Sequence, residues 1–70
     1  MTLGKSAAKI FKDARHNKGL TQVEVAQKAG LHPNTYAKIE RGVAKPAPSS
    51  IKKLARALDI DSSKIFDLLD

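Results

Sequence analysis

Leu20 to Gly42, LTQVEVAQKAGLHPNTYAKIERG, is the stretch that decides the fold. It contains two short helical patterns joined by a turn, at about residues 21–41. Thr21 suits the N-cap of the first helix, and Glu24, three residues later, suits the other half of a capping box. Gly30 ends that helix, and Pro33 suits the first position of the next, because its fixed φ favours a helix start.

The apolar residues of both patterns recur at helical spacing. Val25, Ala26 and Ala29 form the inner face of the first helix, and Tyr36 and Ile39 that of the second. We expect Ala26, four residues before Gly30, to lie where two helices cross closely, and a larger side chain there should push them apart.

Helical patterns also flank this pair. Leu3 to Lys18 predicts a first helix, and the proline-rich loop VAKPAP leads into a fourth helix that starts at Pro48. A short last helix at about residues 62–69 can be capped by Asp61 or Ser62. The sequence therefore predicts an all-α fold of five helices.

Composition limits the class of protein further. The chain has 70 residues and is expected to form one domain over residues 1–70, and its 41% hydrophobic but only 4% aromatic content favours thin, closely packed helices. Without cysteine there is no disulfide, and two histidines with no acidic pair at ligand spacing predict no metal site. We expect no cofactor, no enzyme activity and no membrane association, and a cytoplasmic location.

Charge is distributed unevenly along the chain. The residues up to Leu58 include 12 basic and 3 acidic side chains, a balance of +9, whereas those from Asp59 onward have one Lys and four Asp, a balance of −3. A basic body of this kind suits a polyanion such as nucleic acid, although many basic proteins are merely solvated by such charges.

Several short motifs carry a resemblance to a known family: Leu20-Thr21-Gln22, Glu24-Val25-Ala26, Gly30-Leu31, Ile39-Glu40-Arg41-Gly42 and, further on, Pro46, Ile51, Leu54-Ala55 and Ala57-Leu58. At this spacing they resemble the helix-turn-helix of the lambda-repressor-like, or XRE-type, DNA-binding domains. The resemblance covers nearly the whole chain. It implies that the third helix enters the major groove of double-stranded DNA.

The resemblance also implies roles for individual residues. Asn34 suits the adenine edge and Lys38 suits guanine, and His32 and Pro33 complete the expected set at the base edges. Proline cannot donate there, and His32 is either a weak N-cap or a DNA contact. Contacts to the DNA backbone are expected from Thr21, Gln22, Thr35, the Tyr36 hydroxyl, Arg41 and Lys45. For Thr35, contact with a thymine methyl group is the alternative.

Arg15 raises a separate question, because it falls one turn after Phe11 on the buried side of the first helix. A buried guanidinium needs a carboxylate. The family pattern pairs this position with that of Glu40, which implies an ion pair beneath the motif.

The last helix is richer in apolar residues than one core-facing stripe can bury. The helix has more large apolar side chains than one face can bury, so some of them must pack against another surface. We therefore expect a homodimer whose interface includes Ile65, Phe66 and Leu69.

The leading interpretation is a sequence-specific transcriptional regulator that binds a palindromic operator as a dimer. Three alternatives stay open: an antitoxin, with a small protein partner such as a toxin or an anti-repressor on the acidic end; a restriction-modification controller; and a protein-interaction module without DNA binding. Gln22, Asn34 and Lys38 on one side argue against the last.

Overall fold

The described residues form five α-helices, as the sequence predicts. The computed structural model describes residues 5–68, with the side chains of residues 7–66. The helices are α1 (Lys5–Asn17), α2 (Gln22–Ala29), α3 (Pro33–Glu40), α4 (Pro48–Leu58) and α5 (Ser62–Leu68), and this part of the chain contains no strand. None of its helices has both the length and the apolar character needed to cross a membrane.

The turn between α2 and α3 is built from the residues that the sequence singles out. Gly30 follows α2 with φ of 69°, a left-handed conformation that favours glycine, and the Leu31 N–H donates to the Ala26 carbonyl oxygen at 2.8 Å. Pro33 then occupies the first turn of α3. The two helices therefore meet through a short turn with fixed geometry.

The core lies between all five helices. Its largest fully buried side chains are Phe11, Val25, Tyr36, Ile51, Leu54 and Ile65. Each large aliphatic or aromatic side chain buried in this way stabilises the fold by roughly 1.5–3 kcal/mol. Helix α2 packs against both α3 and α4, and Ala26 on α2 is 0% exposed, which agrees with the close crossing expected there.

Helix α5 corrects one prediction about the dimer interface. Ile65 is 0% exposed in the core, so it is not available to a second subunit. The reason is helical geometry, since α5 packs on α1 and α4 with one face and Ile65 lies on that face. Phe66, one residue further round the helix, is 37% exposed. Leu69 lies outside the described residues.

Candidate nucleic-acid interface

Helix α3 presents a polar stripe on the side opposite its buried face. Asn34, Lys38 and Arg41 are all exposed and, at helical spacing, lie within about 60° of one another around the axis. Tyr36, Ile39 and Glu40 are the buried residues of this helix. Thr35 is also exposed, beside the stripe. An α-helix with its side chains is about 10–12 Å across, a diameter that fits a major groove of about 12 Å width.

His32 caps this helix. Its Nδ1 accepts a hydrogen bond from the Asn34 N–H at 3.1 Å. When the ring is neutral, an accepting Nδ1 means that Nε2 carries the proton. His32 is exposed, so its ring retains one donor for a partner outside the helix, while the half-buried Pro33 offers none.

The N-terminus of α2 is closed by a complete capping box. The Thr21 N–H donates to Glu24 Oε1 at 2.8 Å, and the Glu24 N–H donates to Thr21 Oγ1 at 3.1 Å. Hydrogen bonds from Thr21 lower the pKa of Glu24, which keeps this carboxylate ionised. The box satisfies two of the amides that a helix start leaves without a partner, so the N–H groups of Gln22 and Val23 remain to bind an anion.

Beneath α2 and α3 lies the ion pair that the resemblance implies. Arg15 Nη2 donates to Glu40 Oε1 at 2.8 Å, and Arg15 Nε donates to Oε2 at 2.9 Å. Arg15 Nη1 donates to the Leu20 carbonyl oxygen at 2.9 Å, directly before the cap of α2. One guanidinium group therefore joins α1, the start of α2 and the end of α3.

Gln22 belongs to the same cluster, which sequence reasoning missed. Its Nε2 donates to Glu40 Oε1 at 3.0 Å. Burial by itself would raise the pKa of Glu40, but its hydrogen-bonding surroundings, with Arg15 first, and the positive charge of Arg15 outweigh burial and lower this pKa to about 2. Gln22 and Glu40 are 18 residues apart, and the sequence between them contains no local signal for the contact.

The structure also corrects the prediction that the Tyr36 hydroxyl contacts the DNA backbone. This hydroxyl was expected to reach the DNA backbone, but the side chain is 0% exposed and its oxygen is buried, with no hydrogen-bond partner among the described residues. Burial and the nearby Glu40 carboxylate raise the pKa of Tyr36. The residue faces the core from the side of α3 opposite the polar stripe, so it cannot contact a phosphate in this fold.

The chain leaves α3 beside the same surface. Arg41 is exposed at the C-cap, and Gly42 follows with φ of 75°. Lys45 is exposed in the connector, next to the buried Pro46, which fixes the backbone there. In the described part of the chain, no three His, Cys, Asp or Glu side chains are grouped so that they could hold a metal ion.

A family model described as helix-turn-helix matches residues 11–65, which is most of the chain. This chain belongs to the XRE-type, lambda-repressor-like helix-turn-helix family. A search of curated protein sequences finds no significant match.

Solved structures of the same fold include several regulators. The restriction-modification controller protein C.AhdI from Aeromonas hydrophila is 34% identical, with 84% of this chain and 89% of that chain covered and a TM-score of 0.79. The hypothetical transcription factor NHTF from Neisseria is 32% identical, with 90% and 71% covered and a TM-score of 0.84. SinR, solved in complex with SinI, is 28% identical, with 86% and 59% covered and a TM-score of 0.80. The family and these relatives support a DNA-binding transcriptional regulator.

Proposed function

We propose that this protein is a sequence-specific transcriptional regulator that binds a palindromic operator as a homodimer, with α3 in the major groove. The observation that carries this proposal is the exposed stripe of Asn34, Lys38 and Arg41 beside the open N–H groups at the start of α2. The start of α2 contacts the end of α3 through the bond from Gln22 to Glu40, so polar side chains suited to base edges and amides suited to a phosphate belong to neighbouring parts of the fold.

Asn34 and Lys38 read the bases in this proposal. The Asn34 amide both donates and accepts, which suits the N6 and N7 edge of adenine, and Lys38 donates to guanine O6 or N7. His32 contributes through its Nε2 at the end of the helix that enters the groove, and Pro33 through apolar contact alone. These four residues set the preferred sequence.

Backbone contacts hold the domain in register. The Thr21 hydroxyl accepts from Glu24 and retains its own hydrogen for a phosphate oxygen. Gln22 and Thr35 add neutral donors, and Arg41 and Lys45 add positive charge where the chain leaves the groove. Such contacts raise the affinity for any DNA sequence.

The second subunit binds through the end of the chain that carries Phe66. This ring is 37% exposed and lines a surface depression together with Ala47 and Pro48, which are also exposed. A dimer built on a two-fold axis places two copies of α3 about one helical turn, roughly 34 Å, apart. Phe66→Ser should turn a dimer into a monomer in sedimentation without DNA, whereas Val23→Ser, at another exposed apolar residue, should not. A wild-type protein that stays monomeric at high micromolar concentration would refute the dimer.

One relative favours a more specific role. The similarity to C.AhdI supports a restriction-modification controller, which would regulate genes beside its own. Genes for an endonuclease and a methyltransferase next to this gene would support that role, and their absence would contradict it. The SinR–SinI complex similarly supports a search for a small protein partner, such as a toxin or an anti-repressor.

Salt dependence tests the proposed mechanism. If each subunit neutralises about four phosphates, a plot of log K against log salt concentration for the dimer should have a slope of roughly −7. Fluorescence anisotropy with a labelled duplex measures this slope. An affinity that hardly changes with salt would be incompatible with the proposed interface.

A further inference from the structure

The hydrogen bond between Gln22 and Glu40 fixes more than a contact between two helices, because the two ends of a glutamine amide are chemically different. Gln22 is half-buried at the start of α2, and Glu40 is 8% exposed at the end of α3. Their bond joins Nε2 to Oε1 at 3.0 Å. The direction of this bond decides which end of the amide is left for another partner.

The carboxylate of Glu40 permits only one direction. It is ionised, so it can accept hydrogen bonds but cannot donate them. Arg15 holds it from two sides, through Nη2 to Oε1 and through Nε to Oε2. A flipped amide would place the Gln22 carbonyl oxygen against a carboxylate oxygen, which is repulsive. The Nε2 group must therefore face Glu40.

This orientation leaves one N–H of Gln22 without a role in the cluster. Nε2 has two hydrogens, and Glu40 accepts one of them. The amide is planar, so the second hydrogen points away from the carboxylate. The main-chain N–H groups of Gln22 and Val23 lie at the same helix start. A phosphate oxygen bound there would have these two N–H groups and the second Nε2 hydrogen as donors.

We infer that Glu40 is a positioning residue for DNA binding, which fixes the Gln22 amide so that its second N–H is presented to a phosphate. Arg15 acts one step further away by holding the Glu40 carboxylate. The inference rests on the proposed function and adds to it. The same Glu40 carboxylate both holds α3 against α1 and orients the amide that binds phosphate at the start of α2.

The free wild-type protein provides the first test. NMR relaxation of side-chain amides should give Gln22 an order parameter near the rigid backbone range, about 0.85, and Gln27, which is exposed on the same helix, a value below about 0.6. Equal mobility of the two amides would overturn the inference. This measurement needs no substitution in the buried cluster.

Affinities for one duplex provide the second test. Gln22→Ala should weaken binding about tenfold in the wild-type background, since a hydrogen bond to a charged group is lost. In a Glu40→Gln background the same change should cost less than about threefold, because the neutral amide at position 40 can donate as well as accept and no longer fixes the direction of the Gln22 amide. The matched control is Asn34→Ala, at the far end of α3, whose cost should be the same in both backgrounds.

The outcomes separate the inference from the proposed function. If the wild-type protein binds no duplex, the proposed function fails. If it binds and the cost of Gln22→Ala is equally large in both backgrounds, only the role of Glu40 fails. A fall in the cost of Asn34→Ala in the Glu40→Gln background also contradicts the inference, because it would mean that the whole helix had moved. If Glu40→Gln does not fold, the order parameters of the Gln22 and Gln27 amides in the wild-type protein decide whether the inference holds.

Discussion

Arg15 on α1 and Glu40 at the end of α3 form a two-pronged ion pair, with side chains that are only 12% and 3% exposed. Removing one partner of such a pair leaves an uncompensated buried charge, which costs about 3–5 kcal/mol of unfolding free energy. We therefore expect Arg15→Met to destabilise the domain by that amount in urea denaturation. Lys9→Met is the control, because Lys9 and Asp13 are paired on the exposed surface. Equal midpoints for the two variants would contradict the role of the pair.

The same carboxylate predicts a pH dependence. The pKa of Glu40 is lowered from 4.5 to about 2. Its contribution to the free energy of unfolding is therefore present above the pKa of the unfolded state and is lost as the pH falls through the pKa of the folded state. At about 1.4 kcal/mol per unit, this amounts to roughly 3 kcal/mol lost between about pH 5 and pH 2.

Comparison with Glu40→Gln isolates this contribution. The wild type and the variant share all other acidic groups, so the difference between their unfolding free energies should shrink as the pH falls from 5 to 2. Denaturant titrations at several pH values measure it. A difference that stays constant over this range would show that Glu40 titrates normally.

Much of the site follows from local signals in the sequence. The N-cap at Thr21, the stop at Gly30 and the helix start at Pro33 are each decided by a few neighbouring residues, and the structure has all three. The partner of Arg15 was also predictable, because a buried guanidinium needs a carboxylate and the family pattern supplies Glu40. The two residues are 25 positions apart, so periodicity alone could not have found the pair.

The wrong predictions concern the direction in which a side chain points. The sequence predicts both core packing and a phosphate contact for Tyr36, but a ring on the buried side of an eight-residue helix cannot also extend to the opposite side. The excess of apolar residues in the last helix predicts that some side chains are not buried in the core. It does not predict whether Ile65 or Phe66 is the exposed one. That choice depends on how α5 packs on α1 and α4.

Tyr36→Phe tests the correction at Tyr36. The hydroxyl is buried and has no hydrogen-bond partner among the described residues, so its removal should change the unfolding free energy by less than about 1 kcal/mol. DNA affinity should stay the same within about twofold. The measurements are urea denaturation and anisotropy with one duplex. A clear loss of affinity at unchanged stability would restore the phosphate contact.

Asp59 predicts a stabilising substitution. It adopts φ of 56° after α4, a left-handed conformation in which glycine is not strained. Asp59→Gly should therefore raise Tm by about 4 °C in thermal unfolding. The substitution also removes the exposed bond from Lys18 Nζ to Asp59 Oδ2, at 2.6 Å. Asp59→Asn controls for that loss, because it removes the charge but retains a side chain, and it should lower Tm slightly or leave it unchanged. A lower Tm for Asp59→Gly would mean that the ion pair outweighs the strain.

Selection of bound sites from random duplex DNA tests the central claim most directly, that α3 reads sequence while the start of α2 holds phosphate. The wild type should enrich a two-fold symmetric site with half-sites about one helical turn apart. Lys38→Ala should relax the choice at one base pair of each half-site, and Gln22→Ala should enrich the same site with weaker binding to all sequences. If no symmetric site is enriched, or if Lys38→Ala and Gln22→Ala both merely weaken binding to every sequence, this account of the recognition surface is wrong.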